Sequence, residues 1–434
     1  MFADFIFSIF VVMFGALVTG GLYRKHAANL RDLMAWGFVA HVLVVPVQLG
    51  VTEFVYGGGD IYLYWERGAM AADLMRRDFS TFAPLMIRVF FHQEVPLPFE
   101  FYYGGPATAA HMSLGAYMMY FLGDSLFAAS LVSSIAAFFG KLALFHAFKA
   151  GLAPARHRLV LAACVLLPST LFWTGTILKE SVVMAFMGFS ALGIRWFIDG
   201  RNSVVCALMT FVPLVPIAFI KPYVVAPFAA GAAVWYYRER QGTAVGDAVV
   251  ARPFYLALGV IFVAAGTILV GRLVPAMAVE NLGQSAARIQ ESGSRVSGGS
   301  AYSLTENVDT SEERSTAQQL TLLPLALPTA LFRPFFFEVR NGTMAVNALE
   351  TSVILWVCVT IFRRTRFTAL WKTVMSSPTL MFCLTFTVLF GTAVGVASTN
   401  MGALSRYRVP MMPFFITLLV MTWQQTATAR RRPS

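Results

Sequence analysis

Residues 55–68, "VYGGGDIYLYWERG", set one aspartate, Asp60, directly after three glycines, with Glu66 six positions on and Tyr62, Tyr64 and Trp65 between. A carboxylate so placed can serve as a general base that takes a proton from a hydroxyl. Gly57, Gly58 and Gly59 allow a sharp turn or the close approach of a ligand. The rings suit stacking on a sugar, or an aromatic belt at a membrane surface. The plainer role for Asp60 is the N-cap of the helix "IYLYWERGAMAADLMRR". Four cations form a second group: Lys179 in "LPSTLFWTGTILKES", Lys221 in "IAFIKPYVV", and Arg406 and Arg408 in "LSRYRVPMMP", with Tyr407 between the arginines. Arginine offers a planar fork and lysine a compact charge, a set suited to phosphate or pyrophosphate. The plainer role for each is snorkelling to lipid headgroups. Glu180, next to Lys179, either marks the same site or pairs with that lysine. His92 and His111 show no metal-ligand spacing.

These residues hang on a chain built for a bilayer. Of its 434 residues 57% are hydrophobic and 13% charged, where a soluble domain carries about a quarter charged. Apolar runs near the roughly 20 residues needed to span hydrocarbon recur throughout. They predict spans at about 2–22, 33–55, 126–148, 158–177, 181–198, 203–220, 223–237, 254–273, 346–362, 377–397 and 409–425. The first run has no basic leader and no small-residue cleavage site, and reads as a retained span. The net charge of +11 is spread in short clusters between apolar runs, as membrane topology predicts, which argues against nucleic acid as a partner. Cys164, Cys206, Cys358 and Cys383 fall inside apolar runs without CxxC spacing, so neither a disulfide framework nor a thiolate metal site is expected. No internal repeat, Gly-rich phosphate loop or HExxH is present.

Lys and Arg bias sets the orientation. Arg24, Lys25 and Arg31 put the first connection in the cytoplasm, and Lys149, Arg156, Arg158, Arg238, Arg240, Arg252, Arg363, Arg364, Arg366, Lys372 and Arg430–Arg432 mark the same side. The N-terminus then lies outside and the C-terminus inside. Residues 104–122 are apolar enough to cross, but a crossing there would invert every later loop; they are expected as a re-entrant or interfacial helix. Two long outer connections follow: 56–122, with amphipathic and re-entrant helices, and 274–345, which begins as a mobile, partly disordered polar loop and ends in a helix returning to the surface at "LTLLPLALPTALFRPFFFEVRN". The four cations above lie on that outer face, where short connections should be poor in Lys and Arg.

The layout resembles the GT-C class of integral-membrane glycosyltransferases and the related polytopic polymerases of cell-surface polysaccharide. "GGGDIYLYWERG" is similar to the acidic motif that this class carries in its first large outer loop, "SRYRVPMMPFF" to a late Arg/Tyr-rich motif, and "PSTLFWTGTILKES" to a Pro-Ser, Trp, Lys-Glu helix end. The resemblance implies one all-α polytopic domain of about 11 spans plus the re-entrant or interfacial helix. It implies sugar transfer from a polyprenyl-(pyro)phosphate-linked donor on the extracytoplasmic face of a bacterial inner (plasma) membrane, in cell-envelope or exopolysaccharide assembly. Asp60 would be catalytic, Lys179, Lys221, Arg406 and Arg408 would hold the phosphates, and Glu66, Glu180, Tyr62, Tyr64 and Tyr407 would support them. The implied partners are the bilayer, the lipid-linked saccharide, a saccharide acceptor and other polysaccharide-assembly proteins. The first loop lacks an Asp-Asp or Glu-x-Asp pair, which argues against a divalent metal. Two other readings stand beside this one: a transporter or flippase of a lipid-linked or anionic substrate, for which the mid-span Lys141 is the one supporting charge, and a non-catalytic envelope scaffold.

Overall fold

The computed structural model describes residues 2–102, 104–241, 323–398 and 400–429. The described residues form an all-α protein of two compact units. The first comprises Met1–Ala147, Cys164–Phe197 and Arg201–Lys221; the second comprises Phe148–Ala163, Ile198–Gly200 and Pro222–Ser434. The expected span at 254–273, the polar part of the 274–345 connection, Arg252 and the basic tail lie outside the described residues.

Seven helical segments among the described residues are long and apolar enough to cross a membrane: Asp4–Lys25, Ala28–Tyr56, Leu126–Lys149, Lys179–Ile198, Ser203–Ile220, Gly342–Arg364 and Pro378–Ala397. Helices α1 (Phe2–Lys25) and α2 (Ala28–Val51) open the first unit. They leave Phe5, Phe10, Met13, Phe14 and Leu17, and Trp36, Leu43 and Val47, exposed. Apolar faces of this size are costly in water and free of cost against lipid tails, so these helices suggest an integral membrane protein.

Three expected spans come out differently. The run 158–177 is not one helix: α7 (His157–Leu166) and α8 (Pro168–Trp173) are separated at Leu167, which is extended. Pro168 lacks an N–H and pushes the residue before it out of the helical region. After α8 the chain 174–178, "TGTIL", is not helical at all. The run 223–237 becomes the 17-residue α12 (Val225–Gln241), and the last run starts as a 3-10 turn, Val409–Met411, before α18 (Met412–Ala429).

The segment after α2 forms a compact layer of its own. A π-helical turn, Thr52–Tyr56, ends on three glycines with φ of 67°, 129° and 136°. An added Cβ would meet nothing within 4 Å at any of them, so backbone conformation, not space, demands glycine. Helices α3 (Asp60–Arg77), α4 (Phe79–Phe90) and α5 (Pro106–Leu122) then pack together. Gly68 of α3 rests on the backbone of Gly115 and Ala116 in α5, and Met75, Met86, Met112 and Met119 are fully buried between the helices. Each such side chain contributes about 1.5–3 kcal/mol. The half-exposed Arg76–Asp124 pair that closes this layer, at 2.7 Å, adds only about 0.2–1 kcal/mol. Apolar packing therefore carries the layer. The expected re-entrant or interfacial stretch is α5, 17 residues long and packed side-on to α3 and α4.

Elsewhere in the first unit, α6 (Leu126–Lys149) and α9 (Lys179–Ile198) cross at glycine on glycine: an added Cβ on Gly188 would collide with the Gly140 carbonyl. Such close crossings are how helices associate in lipid, where burial of apolar surface gives no drive. Helices α10 (Ser203–Phe211) and α11 (Leu214–Ile220) complete the unit, and His92, just past α4, donates from Nε2 to the Phe219 carbonyl of α11 at 2.8 Å.

The second unit holds α12, α13 (Leu323–Phe332), α14 (Gly342–Arg364), α15 (Phe367–Ser376), α16 (Pro378–Ala397), α17 (Met401–Tyr407) and α18. Its core is aromatic: Phe382 and Phe386 of α16 meet Phe228 and Trp235 of α12 and Phe414 of α18, and Phe390 stacks on Phe386 and Tyr223. The apolar end of the second long connection is helical as expected, but α13 lies packed on α16, with Ala326 against Gly395.

Two outcomes follow. Gly188→Ala is expected to lower stability by roughly 1–3 kcal/mol, read as a lower melting temperature of the purified protein in detergent, while Gly20→Ala, where nothing lies within 4 Å, leaves it unchanged. Burial holds the His92 imidazole below its ordinary value of 6.5, the bond to Phe219 opposing. The neutral ring is the one the fold favours, so its contribution is present above pH 6.5 and is lost as pH falls through the lower folded-state value. Amide exchange across 91–102, corrected for intrinsic rate, should accelerate as the pH drops below that point, and His92→Phe should abolish the acceleration.

Candidate functional site

Asp60 is the first residue of α3, not its N-cap: Gly59 takes that position, and no side chain caps the helix. The Asp60 carboxylate is exposed and sits in the first turn, where the helix dipole favours negative charge. One turn on, the buried Tyr64 donates its hydroxyl to Asp60 Oδ2 at 3.4 Å, a long bond. Helical spacing puts these two on the same face. Tyr62 points elsewhere and donates to Glu53 Oε2 at 2.6 Å, tying the start of α3 back to the π turn. That bond, aided by burial, raises the Tyr62 phenol above its ordinary range. Glu66 is exposed on α3.

The Tyr64 ring is the hub. His111 of α5 meets it edge-on at 4.7 Å between centroids, and the Lys179 ammonium lies 5.8 Å from its centroid. His111 Nε2 donates to the Ile177 carbonyl at 2.8 Å, fixing the non-helical "TGTIL" segment that leads into Lys179. Lys179 starts α9 and donates to Thr108 Oγ1 at 2.8 Å, while Thr108 passes its own proton to the Gly104 carbonyl at 2.9 Å. Lys179 is half-buried. A lysine at a helix N-terminus adds its charge to the positive end of the dipole and so favours an anion.

Glu180, the next residue, pairs with Lys221 at 2.5 Å, with side-chain exposures of 0% and 4%. The ion-pair partner of Glu180 thus comes from 41 positions away, while the adjacent Lys179 donates to Thr108. Lys221 caps α11, so this pair fixes the end of α11 to the start of α9 beside Lys179.

Among the residues expected in the site, the first unit thus brings together Asp60, Tyr64, Lys179, Glu180 and Lys221 through a chain of contacts. Thr108 and His111 join them: Thr108 carries no signal in the sequence, and His111, a lone histidine without metal-ligand spacing, reads there as structural. Arg406, Tyr407 and Arg408 belong to the second unit. Arg406 and Tyr407 close α17. Arg408 is fully buried, donates from Nη1 to the Arg333 carbonyl at 2.8 Å and feels the carboxylate of Glu350. Arg333 in turn pairs with Glu338, whose Oε2 accepts from the Phe335 N–H at 2.9 Å. This second cluster organises the turn "FRPFFFE", with Thr351 donating to the Pro334 carbonyl at 2.8 Å. Among the described residues no group of three or more His, Cys, Asp or Glu is arranged to hold a metal ion.

No family model, characterised relative or solved structure matches the chain.

Breaking the buried pair from one side leaves an uncompensated charge. Glu180→Leu and Lys221→Met are each expected to cost about 3–5 kcal/mol, whereas the double replacement Glu180→Leu with Lys221→Met recovers most of it. A double-mutant cycle on unfolding in detergent checks this; single and double variants of equal stability would contradict it.

Proposed function

We propose that this protein is a membrane glycosyltransferase or polysaccharide polymerase that takes sugar from a polyprenyl-(pyro)phosphate-linked donor on the extracytoplasmic face of a bacterial inner membrane. The observation that carries the reading is the linkage of an exposed carboxylate to a cation through one buried ring. Asp60 accepts from Tyr64, and the face of Tyr64 lies under Lys179. That is the pairing such a transfer requires, a base for an acceptor hydroxyl and a positive charge for a departing phosphate.

In this mechanism the acceptor oxygen attacks the anomeric carbon of the donor. The bond from that carbon to the phosphate oxygen breaks, and the acceptor's proton passes to Asp60. Charge grows on the leaving lipid phosphate, and Lys179 at the start of α9, with Lys221 close behind Glu180, stabilises it more than the bound donor. Tyr64 keeps Asp60 in its rotamer, and Thr108 keeps the Lys179 ammonium in place. Arg406 and Arg408 supply the same anion-binding chemistry in the second unit. The apolar helices agree with a substrate that arrives through lipid.

A second reading, transport of a lipid-linked or anionic substrate, is favoured by one observation: Lys141 lies fully buried within a membrane-length helix. Chromosomal variants in the producing host test the transferase reading. Asp60→Asn and Lys179→Ala should each abolish surface polysaccharide at normal protein level, with the lipid-linked donor accumulating; Arg406→Ala should reduce it. Unchanged polysaccharide in both Asp60→Asn and Lys179→Ala would end the transferase reading.

A further inference from the structure

A second constellation of polar groups lies in the first unit, in helices long enough to cross the membrane, and the transfer chemistry does not use it. Lys141 of α6 is fully buried, and its ammonium nitrogen has three neighbours: His41 Nε2 of α2 at 3.1 Å, the Thr170 carbonyl of α8 at 3.1 Å and Thr174 Oγ1 at 2.7 Å. At 1.5 Å per residue, Lys141 lies about 12 Å along α6 from its C-terminal end. A lysine that deep in a membrane protein is expensive and marks function by default.

The proton roles of its neighbours follow from their other bonds. His41 Nδ1 lies 2.7 Å from the Gly37 carbonyl, which can only accept, so Nδ1 carries the hydrogen and Nε2 offers a lone pair. Thr174 donates its hydroxyl to the Thr170 carbonyl at 2.7 Å, which leaves its oxygen free to accept. An ammonium at Lys141 therefore finds three acceptors for three protons. A neutral amine fits equally well. It keeps its two protons on His41 and Thr170, and the Thr174 hydroxyl turns from the Thr170 carbonyl to the vacated lone pair. Neither state strands a buried donor, which would cost about 1–3 kcal/mol. Among the described residues the other titratable groups acting on Lys141 are His41 and the Cys164 thiol; no carboxylate does so.

A further buried polar group lies on α2. Seven residues beyond His41, about two turns, Gln48 is 1% exposed, and neither end of its amide has a hydrogen-bond partner. Its oxygen borders Gly175, the residue after Thr174. One turn further is Thr52, just before Glu53 and the glycines that lead to Asp60.

We infer that Lys141, His41 and Thr174 form an intramembrane proton-binding site, in which Lys141 exchanges one proton with water that reaches it along the Gln48 face of α2. The step is balanced as a lysine ammonium plus water giving a lysine amine plus hydronium, with Thr174 as the rotor that serves both states. The site does not depend on the transferase reading and would be equally at home in a transporter.

The test uses full-length protein in nanodiscs with lysine labelled at the side-chain nitrogen. The chain has six lysines, and loss of one signal in Lys141→Gln assigns the resonance. Lys141 is expected to pass reversibly between ammonium and amine shifts within the pH range where the protein stays folded, at an inflection distinct from the other lysines. Thr174→Val, which keeps shape and removes the rotor, should change proton affinity roughly tenfold, about one pH unit, while Thr174→Ser should not. Gln48→Leu should slow exchange at Lys141 without moving the inflection. A Lys141 signal fixed in one state across the folded range would overturn the proposal, and so would labelled His41 becoming imidazolium in its place. The wild-type titration stands even if Thr174→Val or Gln48→Leu fails to fold; should Lys141→Gln fail, replacing each of the other five lysines by arginine assigns the Lys141 signal by elimination.

Discussion

The buried pair of Glu180 and Lys221 is the constraint on which the Asp60–Lys179 end of the first unit depends. Two charges removed from water at that depth are tolerable only together, so the start of α9 and the end of α11 must meet wherever the rest of the chain goes. With α9 so fixed, Lys179 stands at its first residue, and the "TGTIL" segment before it has to bridge from α8 without forming a helix. His111 holds that bridge by its Ile177 carbonyl, and the same ring supports Tyr64. The ion pair therefore reaches Asp60 through three further contacts, and none of them is polar surface that water could substitute at no cost.

The second feature is how the polar residues are housed. In the first unit some buried polar side chains use a carbonyl of their own helix, as His41 does with Gly37, and others use groups freed where a helix breaks. Pro168 interrupts the chain between α7 and α8, and Thr170 of that short helix and Thr174, just past its end, become acceptors for Lys141. In hydrocarbon the alternative partner, water, is absent, so a broken helix and a buried lysine belong to one design. The second unit solves the same problem with Arg408, which is held by a carbonyl of the "FRPFFFE" turn.

Glycine marks the places where the chain must do what side chains forbid, for two different reasons. At Gly57–Gly59 the demand is a run of positive φ that turns the end of α2 into α3, with open space around it. At Gly140 and Gly188 the dihedrals are helical and the demand is room, because two backbones touch. Both kinds are invisible to composition, yet each decides where a polar residue stands: the first sets Asp60, the second sets the distance between the helices that carry Lys141 and Lys179.

The sequence by itself determined what depends on local pattern. Apolar runs of membrane length, the acidic landing after the second helix and the cations at helix ends were legible, because hydropathy and charge are properties of neighbouring residues. It also marked Asp60, Tyr64 and Lys179 one by one. What only tertiary structure decided is who meets whom. The partner of Lys221 at the start of α9, the choice of Tyr64 over Tyr62 as the ring beside Lys179, and the parts played by Thr108 and His111 come from contacts 41 or more positions apart. The same holds for the broken 158–177 run, where mean apolarity favoured a span and one proline, with polar groups to place, overruled it. A periodic pattern records which side of a helix is apolar; it carries no record of which other helix that side will touch, and burial of charge is settled only by that meeting.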